Sequence, residues 1–195
     1  MERILSPMLR HEDLAKIARQ LGRQPQGVAD VVKRCLAGHP QVITNYPIRW
    51  CSGTPEIFPT LYWLTCPVLR RQVGALETEG WIERVQKRLA SDVPLAEKLQ
   101  AAHQAYADKR LQLVPGDEMA LLARHYPGQL QALKESGIGG IRGEGIKCLH
   151  THLADYLADQ TKLNPIGKLV VELLRDRNIT IDYCFDYQME GLCRG

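Results

Sequence analysis

The chain has 195 residues, is 45% hydrophobic and 24% charged, and carries 25 basic and 22 acidic residues for a formal net charge of +3. That apolar content suffices to bury the core of one domain, while the even mixing of charge argues against the one-faced cationic stripe that nucleic acid requires. No apolar run reaches the length of a membrane span and residues 1–7 lack the apolar core of a signal peptide, so the expectation is a cytoplasmic protein with no membrane partner.

In chain order, Leu14, Ile17, Ala18 and Leu21 recur at helical spacing over residues 10–22, and Gly22 supplies a stop. Residues 28–34 are rich in β-branched side chains and deliver Cys35. Gly38-His39-Pro40 then turns the chain into a second strand over residues 41–46, so Cys35 and His39 flank a hairpin turn. Residues 47–59, broken by Pro47, Gly53, Pro55 and Pro59, read as an irregular connection. Residues 60–65 are aromatic and β-rich, which predicts the third and most buried strand, ended by Cys66-Pro67. Pro67 suits a helix start, and apolar spacing carries helix to about residue 90 with an interruption near Gly80. Further helices are predicted over 95–113 and 118–135, with His11, His103 and His125 exposed on their surfaces and Trp50, Trp63 and Trp81 as core anchors.

Residues 137–145 hold five glycines in nine positions and give way to a glycine-free apolar run. Ile146, Leu149, Leu153 and Leu157 predict an amphipathic helix starting near Gly145. On that helix Cys148 and His152 lie one turn apart, with Asp155 next along the face, and His150 joins Cys148 only if the first turn is irregular. Asn164-Pro165 opens a last helix, followed by an edge strand over 179–185 and a tail bearing Cys184 and Cys193. The expected architecture is α+β: a small antiparallel sheet of about three strands from the N-terminal third, packed by five to seven helices, with residues 1–177 as one domain and 178–195 as a tail.

Five ordered blocks carry a resemblance. Gly22-Arg23-Gln24-Pro25-Gln26-Gly27, Arg34-Cys35, Gly53-Thr54-Pro55-Glu56-Ile57-Phe58-Pro59-Thr60, Leu64-Thr65-Cys66-Pro67 and Lys147-Cys148-Leu149-His150 resemble the bacterial domain-of-unknown-function family numbered five hundred and one, over roughly residues 10–175. The resemblance implies no reaction. It does imply counterparts of Cys35, Cys148 and His150 in other members, with either Cys or His at position 66, an alternation that suits zinc.

Six cysteines in a reduced compartment point to metal or thiol chemistry rather than to disulfides. The expectation is that Cys35, Cys66, Cys148 and His150 hold one metal ion, zinc, with His152 or His39 as substitute ligands and an iron-sulfur cluster as the lesser alternative. Cys35 and Cys66 equally fit small buried apolar positions. A second reading takes Arg142, Gly143, Gly145 and Lys147 as an anion cradle at the start of the helix, with Cys148 as a nucleophile. The expected function is therefore a metal-binding or regulatory module, and the alternative is a small enzyme using residues 137–152 on a phosphorylated or thiol-reactive substrate. The partner and the oligomeric state are not specified by the sequence.

Overall fold

The computed structural model describes residues 9–182. Helix α1 (His11–Leu21) leads into a hairpin of β1 (Val28–Arg34) and β2 (Pro40–Asn45), closed by a Cys35 N–H to His39 carbonyl bond at 3.0 Å. The connection read as irregular is instead a second hairpin, β3 (Ile48–Cys51) with β4 (Thr54–Ile57). Pro55 is tolerated there because the hairpin stands alone as a two-stranded sheet, where a proline costs little pairing. Strand β5 (Tyr62–Leu64) then returns to the main sheet, whose order is β1-β2-β5 and whose pairings are antiparallel.

The order corrects one expectation. The most buried strand is β2, not the aromatic strand β5, which lies at an edge. Successive β2 side chains enter different cores, Ile43 meeting Ile17 of α1 on one face and Val42 meeting the larger helical core on the other. Two buried polar members of β2 donate through their side-chain amides. Gln41 Nε2 donates to the Ile181 carbonyl at 2.7 Å, and Asn45 Nδ2 donates to the Thr60 carbonyl at 3.3 Å.

The helices follow as α2 (Pro67–Thr78), α3 (Trp81–Ser91), α4 (Val93–Gln112), α5 (Gly116–His125), α6 (Pro127–Glu135), α7 (Leu149–Ala158) and α8 (Pro165–Asp176). Eight α-helices thus lie among the described residues, one more than the expected maximum, because Pro127 splits the predicted 118–135 segment in two. Leu69, Val73 and Leu76 of α2, Leu149 and Leu153 of α7, and Val170 of α8 form the main core with Val42 and Leu64 of the sheet. Trp50, expected in the core, is 39% exposed on the second hairpin, where its Nε1 donates to Glu118 at 2.7 Å.

Helices α7 and α8 approach closely at Gly167, where an added Cβ would lie 2.4 Å from the His152 carbonyl oxygen and 2.3 Å from Tyr156 Cβ. Asn164 caps α8 by accepting from the Ile166 and Gly167 amides at 3.1 and 2.9 Å. Past α8, residues 179–182 form no strand, and positions 183–185 of the expected edge strand lie outside the described residues, as do Cys184 and Cys193. Asp182 returns to the first hairpin, its carbonyl accepting from the Leu36 amide at 2.9 Å and its carboxylate pairing with Lys33 at 2.8 Å. No helix among the described residues is long and apolar enough to cross a membrane.

Candidate metal centre

Packing of Leu69, Val73 and Leu76 against Leu149 and Leu153 sets the last turn of α2 beside the first turn of α7. Helix α7 begins at Leu149, four residues later than the apolar pattern suggests, and Cys148 is its N-cap in an extended conformation. Cys148 is therefore off the helix, and the irregular start brings His150 rather than His152 to its side. Cys148 Sγ lies 3.6 Å from His150 Nδ1, and the same nitrogen lies 3.1 Å from Glu77 Oε1. One donor atom each from Glu77, Cys148 and His150 fall within 4.8 Å of one another, the one such His, Cys, Asp or Glu group of three or more among the described residues.

The ring of His150 is fixed from behind by its Nε2, which donates to the Arg70 carbonyl at 3.0 Å. Burial works against a charged imidazole here. The contacts with Cys148 and Glu77 and the bond to Arg70 outweigh it and carry His150 up to about 10. Burial likewise opposes ionisation of Glu77. Its hydrogen bond and charge interaction with His150, the amide of Leu149 at 2.6 Å and the contact with Cys148 together hold the carboxyl below its ordinary value.

Cys35 and Cys66 stand outside this triplet. Cys35 sits in the turn of the first hairpin, 3.8 Å from His39 Nδ1. Cys66 is the buried N-cap of α2 and Glu77 lies in its last turn, so roughly 16 Å of helix axis separates them. His152 is fully buried against α8, its Nδ1 accepting from Asn164 Nδ2 at 3.2 Å, and burial followed by repulsion from His103 lowers it to about 3. Of the anion set, Arg142, Gly143 and Lys147 are exposed, and the Gly145 carbonyl accepts from His103 Nε2 at 3.1 Å. The first amide of α7 is already held by Glu77, so an intrachain carboxylate takes the place that the expected cradle would offer an external anion.

Two residues of this region escaped the sequence. Glu77 is one of several acidic residues on a solvated stretch, and only its position seven residues, two helical turns, after Arg70 sets it apart. His103, expected on the surface, is 4% exposed and clamps both ends of the glycine-rich loop. Its Nδ1 accepts from the Ile138 amide at 3.0 Å, and a Cβ at Gly137 would come within 2.7 Å of that nitrogen. The glycine at 137 is what permits the approach.

A cleft of about 300 Å³ opens beside the triplet, lined by Arg23, Tyr62, Trp63, Leu64, Arg70 and His150 among others. A family model described as Protein of unknown function (DUF501) matches residues 31–172. The chain belongs to this family. The DUF501 match takes in Cys35, Cys66, Glu77, Cys148 and His150, whereas Arg23 and residues 173–195 fall outside it. No curated protein and no solved structure matches the chain.

Proposed function

We propose that Glu77, Cys148 and His150 hold one divalent metal ion, zinc by their donor chemistry, and that the protein acts as a metal-dependent binding or regulatory module. The observation that carries this reading is the convergence of all three side chains on the Nδ1 side of His150 while Nε2 is bound to the Arg70 carbonyl. A ligating histidine characteristically donates its second ring N–H to a carbonyl or carboxylate, which fixes the ring and its tautomer. A nucleophile–base–carboxylate relay would instead place thiol and carboxylate on different ring nitrogens. One thiolate with an imidazole and a carboxylate suits zinc and does not suit an iron-sulfur cluster, which is held by several cysteines.

The enzyme alternative draws on the same geometry. Three protein donors leave a fourth position for water or substrate, the arrangement of catalytic zinc, and His150 also lines the adjoining cleft. Elemental analysis of the purified protein and its variants tests the metal reading. The expected result is about one equivalent of zinc, lost in Cys148→Ala and Glu77→Gln and kept in Cys35→Ala. Zinc that survives in Cys148→Ala, or disappears in Cys35→Ala, contradicts it.

A further inference from the structure

The cleft beside the triplet lies against β5, the last strand in the order of the main sheet. Bonds from the Asn45 amide to the Leu61 carbonyl at 2.7 Å and from the Thr65 amide to the Gln41 carbonyl at 2.8 Å direct the Leu61 carbonyl and the Thr65 amide toward β2, while the Leu61 amide donates to the Tyr106 hydroxyl at 2.6 Å. Alternation along the strand turns the backbone groups of Tyr62 and Leu64 outward, to the side that carries no further strand among the described residues. The outward Tyr62 amide is met by the Tyr106 hydroxyl at 3.3 Å, and Leu64 lines the cleft.

Two arginines enter this space from different elements. The turn after α1, with Gly22 left-handed and the Arg23 amide bonded to the Ala18 carbonyl at 3.2 Å, sets the Arg23 guanidinium 4.9 Å over the Trp63 ring. Arg70 of α2 spends one nitrogen on the Gln20 carbonyl at 2.9 Å. Neither arginine has a carboxylate partner among the described residues, and no carboxylate lines the cleft. By contrast Arg34, Arg49, Arg88 and Arg177 each face an acid. A guanidinium stacked on indole keeps its edge N–H donors free for an oxyanion while the ring provides a flat apolar wall.

We propose that this cleft binds a small molecule that joins a planar ring to an oxyanion, either a carboxylate or a phosphate, with the oxyanion between Arg23 and Arg70 and the ring along Trp63. A volume of about 300 Å³ stands at the small end of ligand pockets, which excludes dinucleotides and favours a single ring system. The proposal deepens the metal reading and rests on it only where the ligand reaches the ion through His150. Arg23, Arg70 and Trp63 are independent of the metal.

Calorimetric titration of the full chain, zinc-loaded and zinc-stripped, with phenyl phosphate, benzoate, inorganic phosphate and benzyl alcohol tests it. The ring-bearing oxyanions are expected to bind about tenfold tighter than either inorganic phosphate or benzyl alcohol. Whichever of phenyl phosphate and benzoate binds better assigns the oxyanion. Arg23→Gln, at an exposed position that leaves the fold intact, is expected to weaken binding about tenfold, and Trp63→Leu to erase the advantage of the ring. Equal binding of all four probes, no binding of any, or an unchanged affinity in Arg23→Gln overturns the proposal. Because zinc content is measured on the same samples, zinc at full stoichiometry without oxyanion binding removes the cleft alone. Oxyanion binding to protein that never takes up zinc supports the cleft and removes the metal reading alone.

Discussion

At the scale of single residues, the buried charges of this protein divide into those that are held and those that are costly. Arg110 is fully buried without a carboxylate, and carbonyls satisfy it. Its Nε donates to Leu133 at 3.0 Å, its Nη1 to Pro59 at 2.9 Å and its Nη2 to Ser136, closing the C-terminal end of α6 where a cation complements the helix dipole. Arg110→Met leaves those carbonyls without donors and is expected to lose about 3–5 kcal/mol in denaturant unfolding. A loss below about 1 kcal/mol would mean the carbonyls find other partners. Asp155 is the opposite case. Burial, only partly offset by the hydrogen bond from Asn164, raises it from 3.8 to about 6. A raised carboxyl contributes stability that is full below its unfolded value and is lost as pH climbs through its folded value, so its effect falls away between about pH 4 and 6. Asp155→Asn, whose amide oxygen can still accept from Asn164, is therefore expected to be more stable than the parent by about 2–3 kcal/mol at pH 7 and equal to it near pH 4. Thermal unfolding at the two pH values checks this, and a gap that is widest at pH 4 reverses the assignment.

At the scale of elements, the α7–α8 contact is set by the absence of a side chain at Gly167. Gly167→Ala would drive a methyl into the His152 carbonyl, and a helix-favouring substitution is here expected to destabilise by about 1–3 kcal/mol. Stabilisation in the same measurement would show that the helices separate freely. How much was legible in the sequence follows from what each element depends on. Helices α1, α2 and α8 announce themselves through apolar periodicity with Gly22, Pro67 and Asn164-Pro165 at their ends, because caps are local chemistry. The second hairpin was hidden because Pro55 and Gly53 look like breakers, and only tertiary packing of Ile48 with Val114, Leu122 and Leu133 makes the segment worth ordering. Rank within the sheet is hidden for a related reason. Aromatic content suggested β5 as the centre, yet β2 occupies it with Gln41 and Asn45 buried on hydrogen bonds that no pattern of hydrophobicity reveals. Of the site, the family resemblance pairs Cys148 with His150, whereas helical spacing alone pairs Cys148 with His152, because the late start of α7 at Leu149 is not written in the apolar pattern. Glu77 was not legible, because a carboxylate brought in from another helix has no local signature. The Arg70 carbonyl was not either, since backbone groups are the same in every sequence.

At the scale of the molecule, Glu77 and the Cys148–His150 pair tie α2 to α7, and the sheet edge beside them frames the cleft. A metal bound there binds the folded state and not the open chain, so zinc is expected to raise the midpoint of thermal unfolding, by about 2.7 kcal/mol of added stability at a hundredfold excess over Kd. A chelator should reverse the gain. An ion bound there would have to displace the proton on His150 Nδ1, which contact with Cys148 and Glu77 retains up to about pH 10 against the cost of burial. Apparent zinc affinity should therefore rise about tenfold per pH unit for each proton released, between pH 6 and pH 9. Affinity that is flat across that range contradicts displacement. The central claim, that the ion sits on Glu77, Cys148 and His150, is tested most directly by X-ray absorption at the zinc edge of the loaded protein. Zinc on these three side chains is expected to show one sulfur at about 2.3 Å with the remaining ligands nitrogen or oxygen at about 2.0–2.2 Å. A shell of two or three sulfurs would return the site to Cys35 and Cys66 and contradict it.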